Sequence, residues 1–317
     1  MNLYKLSENE LQPLAHEEFA LEKEIQSLIE KNISTLFNVK FVSSEFAIGE
    51  FRIDTLCFDE ETNSFVIVEY KRGNSYSVVD QGYSYLSVML NSKADFILEY
   101  NERLNRSLKR DEVDWASSRV IFISPSFNSY QKNSVNFRDI PFELWEIKKF
   151  SGGLVALEQH QSSSKASIGS ISNQETNSII ARVASEVSVT TEEEHVAKLS
   201  NAIADVYVAF KQEIEQLPDT NFYSKKQYVG CKKDSAVMCY IHFNKNYLYL
   251  DIGRGNISPE GNKSKGFFSF DDPKKIAADK SWTHKDGTTG HYYRIRIASI
   301  SDIDYAMYLL KQKYAAL

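Results

Sequence analysis

The seven residues Phe65 to Lys71 (Phe-Val-Ile-Val-Glu-Tyr-Lys) constrain this chain more than any other stretch. Apolar or aromatic residues occupy both faces of the run, the pattern of a strand covered on both sides. Such a strand belongs at the centre of a layered α/β domain. Yet it ends in a carboxylate and an ammonium, and an unpaired buried charge costs on the order of several kcal/mol. Side chains alternate along a strand, so Glu69 and Lys71 project from one face. An acid and a base held at the tip of a rigid core strand point to a metal-dependent active site.

A second acid falls beside them. Residues Phe51 to Phe58 also read as a strand, and the polar run Asp59-Glu60-Glu61-Thr62-Asn63-Ser64 between the two reads as a turn. If the hairpin is symmetric about residues 61 and 62, paired positions sum to 123 and Asp54 lies opposite Glu69. Directly opposed residues place their Cβ atoms about 4.5–5.5 Å apart. Two carboxylates that close repel unless a cation sits between them. Hard oxygen ligands suit Mg²⁺ or Mn²⁺. An ordinary surface hairpin end with one Glu–Lys pair accounts for the same spacing.

The elements around this hairpin read as α/β. Glu17 to Phe37 has helical period, with Ile25, Leu28, Ile29, Asn32, Ile33 and Leu36 on one face. Glu22 lies at the edge of that face and Glu24 points away from it, so Glu22 is the acid expected to look inward. Strands are expected at Val39–Ile48, Phe51–Phe58 and Phe65–Lys71, then a helix at Ser77–Leu90 that puts Gln81 and Tyr85 on one face. Further strands are expected at Phe96–Tyr100, Val120–Ser124 and Phe142–Ile147.

Together these motifs resemble the PD-(D/E)xK nuclease superfamily. The match runs Glu22 on a first helix, Asp54 on a strand, Glu69-Tyr70-Lys71 on the next, and Gln81-Gly82-Tyr83-Ser84-Tyr85 on the following helix, similar to the Gln-x-x-x-Tyr motif of RecB-type nucleases. The closer likeness is to small proteins related to the mismatch- and branch-cleaving endonucleases of archaea and actinobacteria. It extends through Pro141 to Glu146 and so covers about residues 14–150. Asp54 is preceded by Ile53 rather than by proline.

The resemblance implies a restriction-endonuclease-like mixed sheet flanked by helices. It implies a DNA endonuclease, acting in repair or in defence against foreign DNA, with Mg²⁺ or Mn²⁺ as cofactor. Asp54, Glu69 and the Tyr70 main-chain carbonyl would hold the metal, with Glu22 acting through a water or a second ion. Lys71 would position or deprotonate the attacking water. Gln81 would orient Lys71 or a phosphate oxygen, Tyr85 would pack beneath the site or touch the strand, and Arg52 and Arg72 could touch phosphates, although solvated flank charges account for both. A nuclease fold without turnover, binding nucleic acid or regulating a partner, is the alternative, as is an RNA-directed nuclease. A homodimer is among the assemblies the sequence allows.

Composition bounds the rest. The chain has 317 residues, 42% hydrophobic and 25% charged, enough for two globular domains. Residues 1–157 form the expected nuclease-like domain and 158–191 a Ser/Asn/Gln-rich linker. Residues 192–317 form a smaller α+β domain, similar to a domain of unknown function found fused to such nucleases and expected to bind substrate. In it, helices are expected at His195–Leu217 and Ser301–Ala316, the latter capped by Ser301 and Asp304. Strands are expected at Lys226–Lys232, Ala236–Phe243, Tyr247–Ile252 and His291–Ile297. From Lys198 onward, 18 Lys and Arg stand against 13 Asp and Glu, whereas residues 1–197 hold 19 against 30. The basic balance of the rear half favours a polyanion weakly. Trp282 to Lys285 and His291 to Arg294 mix aromatics with cations as single-strand-binding surfaces do, though core tyrosines and a polar loop explain them as well. No run of 18 apolar residues marks a membrane span. Three cysteines without zinc-ligand spacing fit a reducing cytoplasm.

Overall fold

The computed structural model describes residues 2–71, 77–137, 139–160, 164, 178–187, 189–234, 236–283 and 287–317. They fall into two compact units, Met1–Val189 and Thr190–Leu317. Among the described residues, no helix is long and apolar enough to cross a membrane.

The first unit opens with a hairpin, β1 (Tyr4–Ser7) and β2 (Glu10–Pro13), then β3 (His16–Glu17) and α1 (Glu22–Phe37). The central hairpin follows as β4 (Lys40–Ile48), β5 (Phe51–Asp59) and β6 (Ser64–Tyr70). Next come α2 (Val78–Asn91), α3 (Lys93–Leu104), β7 (Arg119–Ser124), α4 (Ser129–Ser134), β8 (Phe142–Phe150), β9 (Leu154–Gln159) and α5 (Ser178–Glu186). Seven strands make one mixed sheet in the order β3-β8-β7-β6-β5-β4, with β9 beside β8. β6, β7 and β8 run parallel, and the hairpin strands are antiparallel. This is a mixed α/β sheet flanked by helices, as expected.

Alternation along β6 explains the layers. All seven of its residues are buried. Val66, Val68 and Tyr70 pack with Ile25, Ile29 and Ile33 of α1. Phe65 and Ile67 pack on the opposite side with Leu86 and Met89 of α2 and Phe96 and Tyr100 of α3. Glu69 continues this second set. The turn that sets the register is held by Asp59, whose Oδ1 accepts the N–H groups of Glu61 and Thr62 at 3.0 and 3.2 Å. Its Oδ2 takes Arg119 Nη1 at 2.8 Å.

Three expectations fail here. Phe96–Tyr100 is helical, not a strand: Phe96 and Tyr100 lie one turn apart on the buried side of α3, while Asp95, Glu99 and Glu102 avoid the core. Asn32 of α1 is exposed, and Gln26 takes a buried place in that helix. The segment 158–191 holds the end of β9 and the helix α5, whose Val183, with Val187 just past its end, joins the α2 core. Arg182 of α5 also donates to Ser87 Oγ. Polar composition hid this helix because few apolar residues, Ile180, Val183 and Val187, dock it.

The second unit contains α6 (Glu192–Val196), α7 (Asn201–Glu215), strands β10 (Thr220–Lys225), β11 (Tyr228–Lys233), β12 (Ala236–Asn244), β13 (Tyr247–Ile257), β14 (Ala278–Thr283) and β15 (Thr289–Ile297), and α8 (Ile303–Ala316). The six strands form one antiparallel sheet, β10-β11-β12-β13-β15-β14. Ile203, Tyr207 and Phe210 of α7 and Met307 and Leu310 of α8 cover one face. The helix expected at His195–Leu217 is two helices, α6 and α7. β10 and β14 were not expected, and β14 is exposed throughout, so its sequence carries no burial period. Ser301 and Asp304 do not cap α8; Ser299 and Asp302 instead box the 3-10 turn Ile300–Asp302 that leads into it, with the Asp302 carboxylate accepting the Ser299 N–H at 2.9 Å.

Candidate active site

The β5–β6 ladder pairs Asp59 with Ser64 through Thr55 with Val68, the register the turn implied. Asp54 and Glu69 are the next residues in that register, and here the strands part. Instead of a ladder bond, the Tyr70 N–H donates to Asp54 Oδ2 at 3.0 Å. One residue on, the Lys71 N–H donates to the Ile123 carbonyl of β7 at 2.8 Å. A carboxylate side chain thus replaces a main-chain partner where two strands separate.

The acids, the lysine and the α2 residues come together on the α2 side. Glu69 is 4% exposed. Its Oε1 accepts Lys71 Nζ and Gln81 Nε2, each at 2.8 Å. Gln81 Nε2 also donates to Tyr85 Oη at 3.0 Å, and Tyr85 Oη donates to the Arg52 carbonyl at 3.3 Å. Two polar atoms in this cluster, Glu69 Oε2 and Gln81 Oε1, are buried and find no hydrogen-bond partner among the described residues. An unsatisfied buried oxygen costs about 1–3 kcal/mol, more for a charged group. Burial first, and then the charge of Glu69, push the Asp54 carboxyl up to about 7, against the Tyr70 N–H and Lys71, which pull it down. Burial also raises the Tyr85 hydroxyl above its ordinary value.

The donor set fits a hard divalent cation. Two carboxylates converge, one with a bare buried oxygen and the other reluctant to ionise alone, and both conditions are relieved by a cation between them. No cluster of three or more His, Cys, Asp and Glu forms among the described residues. The acids at the strand tips are Asp54 and Glu69, and the charge of Glu45 also acts on Asp54. Glu22 is exposed on the first turn of α1 and makes none of these bonds. The residue of α1 that reaches the site is Gln26, one turn further on, whose Nε2 donates to the Asp54 carbonyl at 2.9 Å. Gln26 also bonds Glu30 Oε1 at 3.0 Å, and Glu30 accepts Thr55 Oγ1 at 2.7 Å. These buttress the strand from the α1 side.

Arg52 does not face the site as a bare cation. It pairs with Glu45 at 2.6 Å, and Glu45 also takes Lys23 at 2.7 Å. Glu45 stands across from Asp54 in the β4–β5 register, between the pairs Ser44–Thr55 and Phe46–Ile53. Its left-handed backbone, φ 56°, interrupts the strand alternation. The hydrogen bond from Lys23 leads the causes that hold its carboxyl below the usual range, although burial opposes it. Reading Val39–Ile48 as a uniform strand concealed this residue. Arg72 lies outside the described residues.

The fold and the cluster define a mixed α/β unit with an Asp–Glu–Lys constellation at a central strand end. The chain belongs to the same family as an uncharacterised protein of Haemophilus influenzae (strain Rd), with 40% identity over 318 residues, spanning 98% of this chain and 99% of that one. No family model matches. Two solved structures are similar over part of the chain. A complex of EndoMS with double-stranded DNA shares 24% identity at a TM-score of 0.28, over 43% of this chain and 50% of that one. A repair endonuclease from Pyrococcus abyssi shares 19% identity at a TM-score of 0.22, over 38% and 45%. This chain thus spans half or less of each solved chain.

Proposed function

We propose that the first unit is a divalent-metal-dependent endonuclease that hydrolyses phosphodiester bonds in DNA, in repair or in defence against foreign DNA. The observation that carries this reading is the Glu69 carboxylate: one oxygen holds Lys71 and Gln81, the other is buried without a hydrogen-bond partner among the described residues, and its charge raises the Asp54 carboxyl. Asp54 and Glu69 would hold Mg²⁺ or Mn²⁺, with the Tyr70 carbonyl as a third ligand. The bound ion would supply Lewis acidity and lower the pKa of its water.

The remaining work falls to this chain's own groups. Lys71, anchored through its main chain to β7, presents an ammonium that can orient the attacking water and offset charge on the scissile phosphate. Gln81 donates to the same Glu69 oxygen and so fixes the carboxylate plane. Tyr85 ties that amide to the β5 main chain, which locks α2 to the strand tips. Support for DNA as substrate comes from the likeness of the Asp54, Glu69-Tyr70-Lys71 and Gln81 to Tyr85 motifs to DNA nucleases.

The test is cleavage of single-stranded, flapped and duplex DNA with Mg²⁺ or Mn²⁺. The parent should cut at least one of them, and Asp54→Ala and Lys71→Ala should not. A parent that cuts none, or variants as active as the parent, would overturn the assignment. Mn²⁺ titration separates it from an inert module, which would show no binding dependent on Asp54 and Glu69.

A further inference from the structure

The two faces of the antiparallel sheet in the second unit differ in kind. Ile241, Leu248, Leu250, Ile252, Ile295 and Ile297 point toward α7 and α8 and are buried there. By strand alternation the opposite face presents six tyrosines: Tyr223, Tyr228, Tyr240, Tyr247, Tyr249 and Tyr292. All six are half-buried. Trp282 of β14 extends the row, tilted against Tyr292 at 5.6 Å.

This face is built rather than incidental. Arg294 donates from Nε and Nη2 to the two oxygens of Asp251 at 2.7 and 2.6 Å. His242 Nε2 lies 3.1 Å from the same carboxylate. Held by that fork, the guanidinium sits 4.8 Å from the Tyr249 ring and 5.2 Å from the Tyr292 ring. Arg296 lies over Tyr247 at 4.6 Å, and Lys232 over Tyr223 at 4.8 Å. Tyr228 meets Tyr240 at 4.9 Å. Gly230 has no side chain because a Cβ there would fall 2.2 Å from the Tyr223 ring.

Charge names the partner. On this face the strands carry Lys225, Lys232, Lys280, Arg294 and Arg296, against Asp251 as the sole acid among the described residues. Rings interleaved with cations on a broad, nearly aliphatic-free surface match a ligand that offers flat π-faces joined by anionic links. A duplex hides its base faces, whereas a single strand displays them.

We infer that this sheet face binds single-stranded DNA, with bases stacked on its tyrosines and phosphates on its lysines and arginines. DNA rather than RNA rests on the reading of the first unit as a DNA nuclease.

The full chain, in chelator so that no cleavage intervenes, is titrated into a labelled oligothymidylate and followed by fluorescence anisotropy. The single strand should bind more tightly than a duplex of equal length. Tyr228→Leu and Tyr249→Leu should each weaken binding about tenfold, and Tyr249→Phe should keep the parent affinity because stacking needs the ring and not the hydroxyl. Arg296→Gln should reduce the slope of log affinity against log salt by about one. The inference is overturned if duplex binds as tightly as single strand, if RNA of matched length binds more tightly than DNA, or if both leucine variants bind like the parent. Loss of binding in the leucine variants of a chain that cuts nothing would leave this inference standing while the nuclease reading falls. Unchanged binding beside Asp54-dependent cleavage would do the reverse.

Discussion

Gly82 couples packing to the proposed chemistry. It lies on α2 between Gln81 and Tyr85, and a Cβ placed on it falls 2.6 Å from both Cε1 and Cζ of Phe142. Favourable carbon contacts lie at about 3.5–4.0 Å, so an alanine there demands that helix and ring separate by about 1 Å. The ring has little room to yield. Phe142 is 7% exposed and meets Tyr83 edge-on at 4.9 Å and Phe122 at 6.1 Å. Alanine gains about 1 kcal/mol over glycine inside a helix, and overpacking costs about 1–3 kcal/mol. The net is a loss of about 1 kcal/mol, a fall in Tm of about 2–4 °C for a unit of this size. The consequence for the site is larger. A 1 Å shift of α2 would stretch the 2.8 Å bond from Gln81 to Glu69 beyond hydrogen-bond reach. Misplacement of that size can lower turnover about 100-fold. Gly82→Ala should therefore stay folded, as near-ultraviolet circular dichroism reports, while DNA cleavage drops about 100-fold. Phe142→Leu removes the ring atoms that clash, so the double variant should cut faster than Gly82→Ala, a non-additive result. A Gly82→Ala variant that cuts at the parent rate, or a double variant that shows only the summed losses of the two singles, refutes the reasoning.

Other outcomes follow from single contacts. Arg119 is half-buried between Asp59, bonded at 2.8 Å, and Glu143, whose Oε1 lies 2.9 Å from Nε outside hydrogen-bond alignment. Arg119→Met should cost about 3–5 kcal/mol in urea unfolding, because two acids lose their cation and one of them shapes the β5–β6 turn. Ser77→Ala removes the cap that accepts the Asp80 N–H at 3.2 Å and should cost about 1 kcal/mol in the same assay. In the second unit, burial raises the Asp251 carboxyl, but Arg294 and His242 more than reverse this and hold it below its ordinary value. A lowered folded value stabilises fully above the unfolded value of about 4 and loses that contribution as pH falls through the folded one. Parent stability should thus drop below about pH 4, and Asp251→Asn should flatten that drop in chemical unfolding followed across acid pH.

Legibility in the sequence followed the periodicity of each element. Strand geometry has period 2, and a four-residue polar turn tied by Asp59 leaves one register, so the pairing from Asp59–Ser64 to Thr55–Val68, which brings Asp54 and Glu69 next in line, followed from counting. Helix α2 was equally plain, because Ser77 is a cap residue and Gln81 and Tyr85 are one turn apart. The first helix was harder. Glu22 and Gln26 lie four residues apart, so periodicity puts both on the same stripe and does not say which turn reaches the strands. Proximity to the parted strands decides otherwise: the first turn stays in solvent, and the second delivers Gln26 to the Asp54 carbonyl. Glu45 was invisible for a different reason. Its left-handed backbone breaks the alternation on which strand reading depends, and only the tertiary pull of Lys23 and Arg52 shows where its carboxylate goes. The open tyrosine face lies between these cases. Alternation assigns its residues to one side of the sheet, but tyrosine is as common in a core as on a surface. The aliphatic residues one position away had to be seen under α7 and α8 before the rings could be placed outside.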